Sequence, residues 1–134
     1  MREKLGPLAQ AMRRAVEAIP QAMRQEAVIR QNLVCLLFTA VSEMGLTPVA
    51  AWKPPKSTRD RIDLVGVDAS QEVPRVEVAF VVDPVVELPK VRALEWVEAP
   101  HKIVVSFAER ADKVEQSTFF LNSELTHLYI YAAQ

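Results

Sequence analysis

The apolar positions along this chain change period twice, and each change marks a change of element. Leu5, Leu8, Met12, Val16 and Ile19 recur every three or four residues, the spacing of one apolar stripe on a helix. Pro20 cannot donate the hydrogen bond that would continue it, so a second helix is predicted from Gln21 to Met44. Gly45 then suits the left-handed position that ends a helix. From Leu33 to Val41 the run LVCLLFTAV is apolar on nearly every side, which predicts a central buried helix. The same run could be read as a strand, but the helical context upstream weighs against it.

After Gly45 short β-branched runs take over. TPVAAW at 47–52, IDLVGV at 62–67 and RVEVAFVV at 75–82 predict three strands. KPPKSTRDR lies between the first two as an irregular connection, and DASQEVP is the turn between the next two. Asp83-Pro84 closes the third strand, and Pro89 opens a helix through PKVRALEWVE. HKIVVSF at 101–107 predicts a central strand, made parallel to its neighbour by the crossover helix. ERADKVEQSTFFL reads as a polar loop or short helix, and HLYIY as a last strand. The order is α-β-β-β-α-β plus one strand, an α/β fold with a mixed sheet flanked by helices.

Composition narrows this further. At 134 residues, half apolar and a quarter charged, one domain over 1–134 is expected, with 1–20 as a helical extension and 21–134 as the core. Cys35 is the only cysteine, which excludes an intrachain disulfide and predicts a buried structural thiol. The N-terminus has no apolar signal-peptide core, and the uncharged stretch Gln31 to Ser42 is shorter than the roughly 20 residues of a membrane span. A cytoplasmic protein with no membrane association is expected. The net charge of −1 conceals a split: residues 1–62 carry ten Lys/Arg against five Asp/Glu, and residues 63–134 carry six against twelve. Such a split could orient a phosphate-bearing ligand near the first half, or simply give two solvated faces.

Two acids stand out, Asp63 in RIDLVG and Glu77 in VEVAF. If their strands pair through the intervening turn, both carboxylates could project from one sheet face, a costly arrangement unless a cation or proton lies between them. Magnesium accepts a few carboxylate oxygens plus waters, and a bound metal polarises a phosphodiester. The alternative is that both are solvent-face residues of half-buried strands. The element order from Val28 to Phe107, with Asp63 and the triplet Glu77-Val78-Ala79, resembles the PD-(D/E)XK (restriction-endonuclease-like) nuclease superfamily. The resemblance implies a Mg²⁺ or Mn²⁺ site at Asp63, Glu77 and the backbone carbonyl of Val78. Alanine stands at the position of the family's lysine, so a displaced cation is needed: Lys90, Arg61 or Lys56. The family's first-helix glutamate is also missing, since residues 31–34 hold no acid and Glu43 lies near the helix end.

The expected function is therefore nucleic-acid association on a nuclease-like scaffold, either catalytically degenerate or a weak metal-dependent phosphodiesterase. Lys53, Lys56, Arg59 and Arg61 form a candidate clamp for DNA or RNA phosphates, against the plainer reading of a solvated loop. The alternative function is a non-catalytic interaction module, with the Leu5, Leu8, Met12 and Val16 face packing against a second copy as a homodimer. Asp83 reads as a strand-ending turn residue, too far from Glu77 to share a metal. His101 and His127 read as packing or surface residues, and Trp52 and Trp96 as core or rim anchors. There is no GxGxxG, P-loop or GxSxG motif.

Overall fold

The first stripe folds as expected. In a computed structural model describing residues 1–56 and 60–132, α1 spans Arg2–Ala18 and buries Leu8, Ala9, Met12 and Val16. The face expected to meet a second copy is thus spent in this chain's own core. Pro20 ends the helix, but the second helix does not start there. A short 3-10 turn occupies Gln21–Met23, and α2 spans Glu26–Glu43.

The close of α2 shows the part played by Gly45. Its φ of +84° lets the Leu46 N–H reach Val41 O at 3.3 Å and its own N–H reach Ser42 O at 3.0 Å. This is the paired Schellman arrangement, which satisfies carbonyls that have no partner inside the helix. The predicted burial of α2 is corrected. Only Leu33, Leu37 and Val41 are fully enclosed, whereas Phe38 is 43% exposed and Cys35 lies on the surface. The helix lies on the sheet rather than inside the molecule, so one stripe is enclosed, Val34, Leu36 and Ala40 flank it half-buried, and the outer side faces water.

The sheet contains β1 (Thr47–Trp52), β2 (Ile62–Asp68), β3 (Arg75–Asp83), β4 (His101–Ser106) and β5 (Thr126–Tyr129), in that spatial order. The first three pair antiparallel, as the meander predicts, while β4 and β5 run parallel to β3. The parallel step is made by α3 (Leu88–Glu95), which Pro89 opens. The ambiguous stretch after Phe107 becomes α4 (Ala111–Ser117) and a 3-10 turn. The result is a mixed α/β fold with an open five-stranded sheet. Among the described residues no helix is long and apolar enough to cross a membrane.

Alternation along the strands sorts the core into two clusters. Leu64, Val78, Phe80, Val82, Ile103 and Val105 pack with α1 and α2, whereas Val65, Ala79, Val81 and Val104 pack with α3. β3 is buried over its last six residues and joins both clusters. The side chain of Val41 from α2 packs directly over Gly66. A Cβ there would lie 2.7 Å from Val78 Cγ1 and 2.9 Å from Val41 Cγ1. We expect Gly66→Ala to lose about 1–3 kcal/mol through this overpacking, read as a lower urea midpoint at unchanged m-value.

Candidate functional site

The register of the central hairpin decides which acids meet. Leu64 faces Phe80 and Gly66 faces Val78, which sets Asp63 against Val81. Glu77 lies four residues from Val81, roughly 13 Å along the strand. It is the extra residue of a bulge, since Gly66 pairs with Val78 but Val67 pairs with Val76. Its nearest cation is Arg75 at 4.0 Å, and it shares a surface recess with Asp68 and His101. The expected pairing of Asp63 with Glu77 therefore does not form, and Val78 stays with Glu77 in the middle of the sheet between Gly66 and His101.

Asp63 meets Asp83 instead, at the carboxyl end of β3. Backbone accounting explains how. Along a strand the peptide groups of alternate residues point to the same neighbour, so Phe80 and Val82 both address β2. The last rung between the strands is Leu64 with Phe80, after which β2 leaves β3 and no longer serves Val82. Two charged side chains replace the missing rung. Asp63 Oδ2 accepts the Val82 N–H at 2.7 Å, and Arg30 of α2 donates its Nε–H to Val82 O at 3.1 Å.

The remaining charge is matched locally. Arg30 Nη2 lies 2.9 Å from Asp83 Oδ1 and 3.2 Å from Glu26 Oε1. Lys90 of α3 holds Asp63 Oδ1 at 3.6 Å and donates to the Arg61 carbonyl at 3.3 Å. The acidic side chains are enclosed, at 14% exposure for Asp63 and 9% for Asp83. Burial pushes the Asp83 carboxyl up to about 6; Lys90 and Arg30 oppose this and the neighbouring Asp63 adds to it. Burial also disfavours the charge on Arg30, but Asp83 and Glu26 outweigh it and raise the guanidinium pKa. One atom of the cluster has no partner: Asp83 Oδ2, buried and unbonded.

The polar row continues across the sheet. Asp83 faces Ser106 on β4, and the Ser106 Oγ lies 2.9 Å from His127 Nε2 on β5. Ser106 is fully enclosed, and burial lowers the His127 pKa. His101 begins β4 on the surface, far along the strand from this row.

Of the candidate cations, Lys90 reaches the acids, while Arg61 turns its guanidinium to Ala51 O at 3.3 Å. Lys53 and Lys56 are exposed, and Arg59 lies outside the described residues. Lys56 lines an open groove of about 970 Å³ together with Trp52, Arg75 and the half-exposed Trp96, and Glu95 and Glu98 line it too. Among the described residues no three His, Cys, Asp or Glu side chains converge as a metal-holding group.

Arg30 and Asp83 are the residues that sequence reading missed. Their signal lay in the hairpin: positions placed symmetrically about the 69–74 turn face each other, so the start of β2 meets the end of β3. Set against protein-family models, curated proteins and solved structures, the chain has no match in any of the three.

Two expectations follow from the cluster. Arg30→Met strands Asp83 and the Val82 carbonyl together, and should cost about 2–4 kcal/mol in urea unfolding at pH 7.5. The second concerns pH. The folded pKa of Asp83 is raised from 3.8 to about 6, so the folded state binds its proton more tightly than the unfolded chain. Asp83 therefore adds stability as pH falls from above 6 towards 4, and withdraws it as pH rises. His127 acts in the opposite sense, since its lowered pKa removes stability on acidification through the ordinary histidine range. The Asp83 contribution is read by difference: Asp83→Asn should gain less stability, or lose more, than wild type between pH 7.5 and pH 5.

Proposed function

We propose that this chain is a nuclease-like domain retired from phosphodiester hydrolysis, which works by associating with nucleic acid. The observation that carries the reading is the closure of the acid pair on the chain's own cations and backbone. Asp63 is committed to Val82 N–H and Lys90, and Asp83 Oδ1 to Arg30. Only Asp83 Oδ2 has no partner, and it is buried. Magnesium takes several oxygen ligands and keeps waters of its own. To provide them the cluster would have to release Lys90 and the missing-rung hydrogen bond at once.

The order of elements from α2 to β4, with an antiparallel meander and a parallel fourth strand, supports the resemblance to PD-(D/E)XK nucleases. With the acids internally neutralised, phosphate is not repelled from this end of the sheet. The exposed Lys53, Lys56 and Arg61 are the residues assigned to phosphate contact, gaining affinity by counterion release. Lys56 stands at the Trp52–Trp96 groove, which also holds Glu95 and Glu98, so the contact is assigned to the lysine and not to the groove as a whole.

A second reading, a weak Mg²⁺- or Mn²⁺-dependent phosphodiesterase, is favoured by Lys90. That lysine reaches Asp63 from the crossover helix, which supports a displaced role for the cation missing at Ala79. In this reading Asp63 and Asp83, rather than Asp63 and Glu77, would supply the carboxylates.

Both readings meet one experiment, with labelled single- and double-stranded DNA and RNA. We expect binding whose affinity falls with salt, weakens at least about tenfold in Lys53→Ala/Lys56→Ala/Arg61→Ala, and is accompanied by no cleavage with either metal. Cleavage that disappears in Asp63→Asn would overturn retirement and establish the second reading. No salt-dependent binding to any of the four substrates would remove nucleic acid as the partner.

A further inference from the structure

Both tryptophans of the chain line one groove. It lies on the α3 side of the meander, between Trp52 at the end of β1, residues 73–76 where β3 begins, and residues 95–100 at the end of α3 and beyond, and has a volume of about 970 Å³. The opening follows from the length of the helix. At about 1.5 Å per residue the eight residues of α3 run about 12 Å, against roughly 30 Å for the nine-residue β3, so α3 covers only part of this face. Trp52 and Val76 are packed in part against the core beneath, while Trp96 stays 53% exposed at the wall of the groove. The charges around these rings are mixed: Lys56, Arg75, Glu95 and Glu98 all line the groove and all are exposed.

We propose that this groove takes a base of a single-stranded nucleic acid, stacked on the Trp96 indole, with Lys56 and Arg75 on the flanking phosphates and Glu95 and Glu98 accepting from the exocyclic amino group of the base. The assignment rests on the nucleic-acid reading already proposed, and narrows it to single strands carrying cytosine or adenine. Charge complementarity selects this occupant. Two cations and two acids cancel, so the lining favours neither a bare phosphate nor a simple cation. It matches a ligand that joins an anion to a flat ring bearing hydrogen-bond donors, and a nucleotide is built that way. Base pairing then excludes the duplex. Its bases are stacked on their neighbours and their amino groups are engaged, so it offers the groove only phosphate, which the glutamates oppose.

A proline-rich polypeptide is the weaker occupant. Its rings also dock on aromatic walls, and its carbonyls accept from cations. Proline has no N–H, however, so such a segment leaves both glutamates unmatched.

Because the groove holds both tryptophans, their emission reports its occupancy without a label. The full chain is titrated with oligo(dC) and oligo(dT) of about twelve nucleotides, a mixed-sequence duplex of the same length and a proline-rich peptide. Oligo(dC) should shift the emission, and should bind at least about tenfold more tightly than the duplex and more tightly than oligo(dT). Trp96→Ala should weaken oligo(dC) at least about tenfold in the anisotropy of a labelled strand, with circular dichroism unchanged, and Trp96→Phe should restore most of the loss. Glu95→Ala/Glu98→Ala should bring oligo(dC) down to the affinity of oligo(dT). Tighter binding of both strands in that variant, at an unchanged ratio, overturns the proposal, because the acids would then only repel phosphate. Salt-dependent binding that is indifferent to Trp96→Ala, or that favours the duplex, overturns the groove and leaves nucleic-acid association standing. Binding to no nucleic acid removes both. An emission shift with the peptide alone assigns the groove to a polypeptide and overturns the proposal as well.

Discussion

Val82 has two backbone hydrogen bonds to make at a point where β2 has already left it. A buried peptide group without partners costs on the order of 1–3 kcal/mol per atom, so the deficit must be met from somewhere. Asp63 and Arg30 meet it, one at the N–H and the other at the C=O of the residue. Much of this end of the molecule follows from that choice. Arg30 must come from α2 on one side of the sheet, and it brings Glu26 and Asp83 with it. Asp63 needs a counter-ion within the enclosed site, and Lys90 supplies it from α3 on the other side. Both helix layers are therefore fastened to β3 at one residue.

The same fastening explains why this end of the sheet looks like a catalytic centre and is arranged as a joint. Carboxylates at the carboxyl end of a parallel strand, a lysine on the crossover helix and a carboxyl titrating near neutrality are features that functional sites gather. Here each has a structural employment. The raised pKa of Asp83 arises chiefly from burial, and its partner Arg30 is held by Val82 O as well. What the cluster does not account for is Asp83 Oδ2, enclosed and unbonded.

The strands and their order were legible in the chain because their signals are local. Alternation, Pro20, Gly45 and the turn at 69–74 each act within a few residues, and apart from the start of α2, which a 3-10 turn delays to Glu26, the elements fall where those signals put them. The end of the hairpin was less legible because it depends on register. Counting forward from Glu77 separated Asp83 from the site, whereas counting across the turn from Asp63 brings it in. The bulge at Glu77 then turned a plausible acid pair into two distant residues. Helix α2 misled in another way. A run such as LVCLLFTAV reports how apolar a helix is, but not how many of its sides the sheet will cover. Arg30 carried no signal at all in one dimension, since its role is set by a carbonyl 52 residues away.

The missing rung also restricts how the chain can change over evolutionary time. A surface ion pair can exchange its two charges between its positions and lose little. Residues 30 and 63 cannot, because each is matched to one backbone group of Val82 as well as to another charge. The N–H of Val82 requires an acceptor and its C=O requires a donor, so the direction in which β3 runs prescribes which position is acidic and which is basic. Reversing both charges would preserve the net charge of the protein and leave the N–H and the C=O of Val82 each confronted by the wrong partner. Descendants of this chain can drift at Glu26, where the contact is exposed and peripheral, while the signs at 30 and 63 stay as the backbone wrote them.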